Sequence, residues 1–220
     1  DLSKAKFFAG HSLGEYSALA ASDSIDFKET LKLLKIRGRS MQMAVPKGEG
    51  GMIAVLGSDV EAINKILNHN IDKYKCYIAN DNSVGQLVIS GKNKDLNNFA
   101  EDLKKNNIKN IKLAVSAPFH CSLMKPAAEI MKNEINNVSF KDPKNIIISN
   151  VTAKDVNETS EIKKLLIQQI ESPVRWRESI IYMLEKGTKS FVEIGPGKVL
   201  SGLIKRINKE VNLIQVNDFE

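Results

Sequence analysis

The sequence predicts an α/β protein whose mostly parallel core is interrupted by a small inserted α+β subdomain. Three observations predict this class. The chain opens with an apolar run, a glycine-rich turn and an Ala/Leu-rich stretch, which is the pattern of a strand followed by a helix. From Gly51 the predicted order changes to βαββαβ, and after Pro118 helices and strands alternate again. We therefore expect one core formed by residues 1–49 and 117–220, with residues 50–116 as the insertion.

The first core segment begins with a strand, predicted from the short apolar run at residues 5–9. The sequence GHSLG at residues 10–14 then predicts a sharp turn into a helix that continues through the Ala/Leu-rich stretch. A second helix is predicted to start at Asp26, because Asp26 and Glu29 have the spacing of a capping box, and to extend to about Met43.

The remaining elements follow from hydrophobic periodicity. In the insertion we expect helices at 60–67 and 96–105 and strands at 51–56, 76–79, 86–90 and 111–116. This βαββαβ order is that of the ferredoxin-like split unit. In the second core segment we expect strands at 146–149, 191–194 and 213–216 and helices at 123–136, 161–170, 178–185 and from Lys198.

The composition places the chain among globular proteins. Its 220 residues are 42% hydrophobic and 26% charged, which excludes disorder and collagen-like architecture. Cys76 and Cys121 are far apart and do not form a disulfide framework, so we expect a reducing, cytoplasmic compartment. No apolar run approaches the roughly 18 residues of a membrane span, and the start of the chain lacks a secretory signal, so we expect neither membrane insertion nor secretion.

The charge of the chain favours anionic partners without specifying one. The formal net charge is +6 at pH 7 and the isoelectric point is near 9.2. The lysines are scattered, with no aromatic residues between them that could stack on bases, so nucleic-acid binding is not expected. A solvated lysine surface is the simplest interpretation, and acidic proteins and phosphorylated cofactors remain open as partners.

The turn at residues 10–14 fits the pattern G-x-S-x-G, which holds a serine on a tight strand-to-helix turn with its Oγ exposed. Free backbone N–H groups and the positive end of the helix dipole at that point can stabilise an oxyanion. Ser12 is therefore the candidate nucleophile. The alternative is that Ser12 is an ordinary helix N-cap.

A serine nucleophile needs a base, most often a histidine, and the chain contains three. His11 is adjacent to Ser12, and its side chain is expected to leave the turn in another direction. His69 lies between two asparagines at a polar helix end, where solvent exposure is expected. By elimination, the candidate base is His120, where the chain re-enters the core after the insertion. The alternative for His120 is a partly buried histidine with a structural role.

Arg37 is the candidate for binding an anion of the substrate. On the second helix, Leu33 and Leu34 lie one turn before it and Met41 one turn after it. Arg39, in contrast, falls on the polar side of the helix. A guanidinium that points inward needs a carboxylate or phosphate partner, since burying it unpaired costs several kcal/mol. Two interpretations remain open: a structural ion pair with an Asp or Glu, or a clamp for a substrate carboxylate.

The other notable residues have simpler interpretations. Cys121 neighbours His120, but adjacent side chains rarely face each other, so we expect Cys121 to be a small packing residue. The Gly-Pro-Gly at residues 195–197 is explained by turn geometry. No Cys/His cluster has the spacing of a metal site, and neither a Walker A loop nor a GxGxxG fingerprint is present. No metal and no nucleotide cofactor is therefore expected.

Six motifs in order give the chain its resemblance to a known family. The sequence resembles malonyl-CoA:acyl carrier protein transacylases from end to end, through GHSLGEY, RGRSMQ, NDNSVGQ, PFH, SPVRW and GPGKVL. The resemblance implies an α/β-hydrolase-like parallel-sheet core with a ferredoxin-like insertion. It also implies transfer of a malonyl group from malonyl-CoA to the phosphopantetheine thiol of acyl carrier protein. This ping-pong reaction would pass through a malonyl-serine and need no cofactor.

The resemblance further implies a role for each matching residue. Ser12 would accept the acyl group, His120 would act as its general base and then acid, and Arg37 would bind the malonyl carboxylate. Leu13 would supply one N–H group of the oxyanion hole. The backbone carbonyl of Gln169 would orient His120.

One departure from the family concerns the start of the chain. The family begins with a strand and a Gly-Gln-Gly-Ser-Gln loop that completes the oxyanion hole, and no counterpart precedes Asp1 in this sequence, so we expect an N-terminally truncated core. Losing one oxyanion donor costs on the order of 10²–10³ in rate. Two alternatives remain: a serine esterase or thioesterase that uses the same turn, and a non-catalytic module that docks carrier protein. We expect a monomer.

Overall fold

The computed structural model of the protein describes residues 2–69 and 73–217. Its helices are α1 (Gly14–Ala21), α2 (Phe27–Met43), α3 (Val60–His69), α4 (Asn93–Lys105), α5 (Lys125–Asn137), α6 (Thr159–Gln169), α7 (Trp176–Glu185) and α8 (Val199–Ile207). Its strands are β1 (Phe7–Phe8), β2 (Gly50–Leu56), β3 (Cys76–Ser83), β4 (Gln86–Lys92), β5 (Lys109–Lys112), β6 (Ile146–Ile148), β7 (Asp155–Val156), β8 (Ser190–Ile194) and β9 (Asn212–Val216). Within these residues, no helix has both the length and the apolar character that a membrane crossing needs.

The core strands form two sheets in the part of the chain that the structure describes. β1 pairs in parallel with β6, and β8 pairs in parallel with β9, as the predicted parallel core requires. β7 lies antiparallel to β6 and was not predicted, because a two-residue strand that begins with an exposed Asp155 carries no apolar periodicity. The chain is therefore a mixed α/β protein.

Residues 50–69 and 73–112 form a four-stranded antiparallel sheet with α3 and α4 against it, and the predicted βαββαβ order is confirmed. The strands lie in the order β3-β4-β2-β5. The last strand was predicted at 111–116, but β5 pairs with β2 over Lys109–Lys112. β5 is an edge strand that carries two lysines and buries little apolar surface, so apolar alternation misplaces it.

Helix α2 begins and ends where the sequence predicts. The Asp26 side chain accepts hydrogen bonds from the backbone N–H groups of Lys28 and Glu29, at 2.8 and 3.2 Å, and so caps the helix. The reciprocal half of the capping box is not made, because the Glu29 carboxylate binds Lys32 instead. The buried face of α2 includes Arg37, as its position between apolar residues predicts.

The insertion and the core meet where β3 runs past the segment before α7. Asp81 donates its backbone N–H to the carbonyl of Val174, and its buried carboxylate forms an ion pair with Arg177. On the same strand, Asn82 accepts a 2.8 Å hydrogen bond from His11, which lies on the turn after β1. This junction places the insertion beside the turn that carries Ser12.

Candidate active site

Ser12 lies on the sharp turn between β1 and α1, in a backbone conformation with φ of +55°. The left-handed region costs a non-glycine residue about 1 kcal/mol, so the surrounding contacts must hold it there. Gly10 has a steric reason to be glycine, because a Cβ on it would collide with the backbone carbonyl of Gly14. Gly14 itself has open space at its Cβ position. Only the first glycine of the G-x-S-x-G pattern is therefore required by close packing.

The structure brings Ser12 and His120 together although 108 residues separate them. Ser12 Oγ lies 2.8 Å from His120 Nε2, and His120 Nδ1 lies 2.9 Å from the backbone carbonyl of Gln169. A carbonyl can only accept, so Nδ1 carries the proton and Nε2 is left as the acceptor for the serine hydroxyl. This is the tautomer that a general base requires. His120 also has a positive φ, of +59°.

Burial keeps the imidazole of His120 neutral. The side chain is 4% exposed, and burial together with the nearby Arg37 charge lowers the pKa of His120 to about 3. A neutral imidazole at Nε2 can accept a proton at any pH above that value. The environment therefore keeps His120 Nε2 unprotonated and available as an acceptor, and it disfavours a lasting imidazolium.

Arg37 reaches the same point from the buried face of α2. Its Nη2 donates to Ser12 Oγ at 2.9 Å and to Gln169 Oε1 at 3.0 Å. The Arg37 side chain is 6% exposed. Among the described residues, no carboxylate lies within ion-pair distance of its guanidinium, and its Nε has no hydrogen-bond partner. Burial lowers the pKa of Arg37 from its ordinary value. The structural ion pair left open by the sequence is therefore not found in this part of the chain, and the guanidinium can accept an anion beside the serine.

Leu13 occupies the N-cap position of α1, and its backbone N–H has no partner among the described residues. The next N–H groups, of Gly14, Glu15 and Tyr16, bond to the three carbonyls at positions 11–13 that precede the helix. The N–H of Ser12 is also occupied, by Asn150 Oδ1 at 2.7 Å. Leu13 is thus the position beside Ser12 whose N–H group is free to bind an oxyanion.

His11 and Cys121 make their contacts away from this cluster. His11 Nε2 bonds Asn82, and the ring packs against Trp176 with centroids 5.7 Å apart, so it leaves the turn in another direction as expected. The side chain of His69 lies outside what the structure describes. Cys121 is 2% exposed and donates to the carbonyl of Pro118, and burial raises the pKa of its thiol to about 11. This is the environment of a packing residue.

Two buried polar residues at the site were missed by the sequence reasoning. Glu15 is 2% exposed, and its carboxylate accepts hydrogen bonds from the Asn150 backbone and from Gln169 Nε2. Burial raises the pKa of Glu15 to about 7. Both had a signal in the sequence. Glu15 is the one charged residue of α1, and Asn150 comes just after a buried strand, at the edge where α/β proteins carry functional residues.

The described residues contain no group of three or more His, Cys, Asp or Glu side chains placed to hold a metal ion. The polar side chains of the site are instead one serine, one neutral histidine, one arginine, two amides and the buried carboxyl of Glu15. Such a set can deprotonate a hydroxyl, bind an anion and stabilise negative charge that develops on an oxygen. It has the composition of a centre for nucleophilic acyl transfer.

Comparison with known proteins assigns the chain to a protein family. A family model described as the acyl transferase domain matches residues 3–218, and the chain belongs to this family.

Particular relatives narrow the assignment. The chain is 46% identical, over 216 residues, to the malonyl CoA-acyl carrier protein transacylase of Bacillus subtilis, and spans 97% of itself and 68% of that protein. The corresponding protein of Haemophilus influenzae is 42% identical, with 98% of this chain and 69% of that protein covered.

Solved structures agree with the sequence relatives. The crystal structure of the malonyl CoA-acyl carrier protein transacylase from Clostridium perfringens superimposes with a TM-score of 0.95 at 44% identity, over 98% of this chain and 68% of that one. A malonyl-transacylase in complex with its type II PKS acyl-carrier protein superimposes with a TM-score of 0.93 at 39% identity, over 97% of this chain and 70% of that one.

Proposed function

We propose that the chain transfers a malonyl group from malonyl-CoA to the phosphopantetheine thiol of acyl carrier protein, through a malonyl ester on Ser12. The family membership and the names of the relatives support an acyltransferase with these two substrates. The solved complex of a relative with its carrier protein supports the second substrate. Malonyl-CoA is a substrate in this reaction, and no cofactor takes part in it.

The observation that carries the substrate choice is that buried Arg37 makes no ion pair with any carboxylate that the structure describes. A buried guanidinium without a carboxylate partner is costly, and a ligand that brings a carboxylate to it recovers that cost. Malonyl is an acyl group with a free carboxylate at its far end. With its thioester carbon at Ser12 Oγ, this carboxylate would bind Arg37, whose Nη2 is 2.9 Å from the same oxygen.

In the first half-reaction, His120 Nε2 removes the proton from Ser12 Oγ as Oγ attacks the thioester carbon of malonyl-CoA. The carbonyl oxygen becomes an oxyanion, and the free N–H of Leu13 would stabilise it. The carbon–sulfur bond then breaks, and the CoA sulfur leaves and takes up the proton. A thiol with a pKa near 8.5 is a good leaving group, so the step needs little acid assistance.

In the second half-reaction, the thiol of the carrier's phosphopantetheine arm gives its proton to His120 Nε2 and attacks the ester. The ester bond to Oγ breaks, and His120 returns the proton to Ser12. The carbonyl of Gln169, 2.9 Å from Nδ1, would keep the imidazole oriented through both steps. This carbonyl takes the place that a carboxylate occupies in many serine hydrolases.

The finer architecture also belongs to this proposal. We assign residues 1–49 and 117–220 to an α/β-hydrolase-like core, and residues 50–116 to a ferredoxin-like insertion. The parallel β1–β6 pairing before the serine turn supports the first assignment, and the strand order β3-β4-β2-β5 supports the second. We further propose a monomer in the cytoplasm, where the thiols of Cys76 and Cys121 stay reduced.

Replacing Arg37 with alanine tests the substrate choice. We expect the ratio of kcat/KM for malonyl-CoA to that for acetyl-CoA to fall about 10²-fold, because a charge-assisted contact to the carboxylate is lost while the thioester chemistry is common to both. The measurement is transfer of each labelled acyl group to purified acyl carrier protein.

Arg39→Ala is the matched control, because Arg39 lies on the exposed face of the same helix, two residues away. We expect its selectivity ratio to equal that of the unsubstituted protein. A serine esterase or thioesterase would release free acid from neutral esters and would keep its substrate preference in Arg37→Ala. A docking module would bind carrier protein and transfer no label from either thioester.

A further inference from the structure

Asn150 is a buried asparagine directly beyond the strand that neighbours the serine turn. It is 1% exposed and follows β6 by two residues. All four of its polar groups are occupied. Its N–H donates to Glu15 Oε2 and its C=O accepts from the N–H of Arg175, while its side-chain amide makes the two bonds described next.

The side-chain amide of Asn150 spans the turn on both sides of position 11. Its Oδ1 accepts from the Ser12 N–H at 2.7 Å, and its Nδ2 donates to the Gly10 carbonyl at 2.8 Å. The orientation of the amide is unambiguous, because the Ser12 N–H can only donate and the Gly10 carbonyl can only accept. β1 and β6 pair through their backbones. Beyond the last paired residues, these two side-chain bonds still join the segment after β6 to the segment after β1.

This contact determines which N–H group is available at the site. With the Ser12 N–H bound to Asn150, the Leu13 N–H is the one left open toward an oxyanion. The same bond constrains Ser12 at its φ of +55°, together with the 3.1 Å bond from Gln169 Nε2 to the Ser12 carbonyl, in a conformation that relaxes unless neighbouring groups enforce it. Asn150 therefore affects both the direction of Oγ and the choice of oxyanion donor.

Asn150 is also connected to the rest of the site through Glu15. The Glu15 carboxylate accepts from the Asn150 N–H at 3.0 Å and from Gln169 Nε2 at 2.8 Å. Gln169 in turn bonds Arg37 through its side chain and His120 through its carbonyl. The position of the serine turn is thus linked to the positions of the base and the arginine by one chain of buried hydrogen bonds.

We infer that Asn150 is a positioning residue for the acylation step, which aligns Ser12 Oγ with His120 and leaves the Leu13 N–H to the oxyanion. The inference rests on the proposed role of Ser12. Asn150 makes no bond to Arg37, so it acts on the rate of acyl transfer and not on the binding of malonyl-CoA. A misplacement of about 1 Å at a reacting centre can cost about 10² in rate.

The test compares Asn150→Ala with Asn145→Ala. Asn145 lies at the other end of β6, and its Nδ2 donates to the Ala5 carbonyl at 2.9 Å, so it makes the same kind of bond between the same two segments, away from the serine. Single-turnover malonylation of Ser12 is followed by rapid quench, and rates are expressed per folded molecule by circular dichroism. We expect about a 10²-fold lower acylation rate constant in Asn150→Ala, with KM for malonyl-CoA within a few-fold, and an unchanged rate in Asn145→Ala.

A second pair, Asn150→Asp and Asn145→Asp, keeps side-chain size and serves if Asn150→Ala does not fold. An aspartate at 150 still accepts from the Ser12 N–H, but it presents an acceptor to the Gly10 carbonyl. We therefore expect Asn150→Asp, like Asn150→Ala, to be acylated more slowly than its position-145 control. An acylation rate in the position-150 variants equal to that of their position-145 partners overturns the inference and assigns Asn150 a structural role only. If the unsubstituted protein forms no malonyl-Ser12, the proposed function fails instead.

Discussion

Ser12→Ala loses malonyl transfer to acyl carrier protein by a factor of at least about 10⁴, because the variant has no oxygen on which to form the acyl ester. The fall should be in kcat, since Arg37, which would hold the malonyl carboxylate, is untouched. Binding of malonyl-CoA should therefore survive, and isothermal titration should give a Kd within a few-fold of that of the unsubstituted protein. The measurement is steady-state transfer of labelled malonyl to the purified carrier.

Ser17→Ala is the matched control for this substitution. Ser17 is an exposed serine in the first turn of α1, five residues after Ser12, and alanine at an exposed helical position changes stability by only a fraction of a kcal/mol. Its transfer rate should equal that of the unsubstituted protein. If Ser12→Ala transfers malonyl at a rate comparable to Ser17→Ala, the acyl group does not pass through Ser12.

His120→Ala should lower kcat by about 10²- to 10⁴-fold, the contribution that a positioned general base makes. The residual rate should rise with pH, because only solvent base is then available to deprotonate Ser12. The unsubstituted protein should behave differently at low pH. Since burial lowers the pKa of His120 to about 3, the base stays neutral through pH 6.5, and the acid limb of the kcat/KM profile should lie below that pH.

Two results would contradict the role of His120. One is a His120→Ala protein that keeps its rate at neutral pH, which would leave Ser12 without need of a base. The other is an acid limb in the unsubstituted protein at or above pH 6.5 that is absent from His120→Ala. That limb would show a histidine that titrates as it does in water, in conflict with its burial at 4% exposure.

The parts of the fold that were predictable are those in which local signals and burial agree. Helix α2 starts at the Asp26 cap and buries one apolar face, so its bounds and the inward direction of Arg37 followed from periodicity. Strand β5 was displaced, because an edge strand with lysines lacks the alternation of a half-buried strand. Strand β7 was missed because its two residues pair only through the tertiary position of β6.

In the candidate site, the sequence could mark individual residues but could not predict the contacts between them. The G-x-S-x-G turn marks Ser12 by its own local pattern, and His120 could be selected among three histidines. The 2.8 Å contact between them depends on how the insertion returns the chain to the core, which no spacing specifies. Whether Arg37 pairs with a protein carboxylate was likewise undecidable from periodicity, because periodicity assigns a face and not a partner.

The buried amide network was the least predictable part of the site. Gln169 contacts His120 through its backbone carbonyl, and a carbonyl has no side-chain signature. Its side chain bonds both Arg37 and Glu15, and Asn150 bonds the residues on either side of position 11. The side-chain contacts join residues more than a hundred positions apart in sequence, and the carbonyl contact to His120 spans 49 positions. They become visible only once the strand pairing of β1 with β6 places their elements side by side.

The central claim is that the acyl group rests on Ser12 while its carboxylate binds Arg37, and trapping that intermediate tests the claim most directly. The protein is mixed with malonyl-CoA in the absence of carrier protein, quenched in acid and digested, and the peptides are analysed by mass spectrometry. We predict a malonyl adduct on the peptide that contains Ser12, and its loss when acyl carrier protein bearing a free phosphopantetheine thiol is added before the quench. A malonyl adduct on another residue such as Cys121, or transfer to the carrier with no adduct at any time, would contradict the claim.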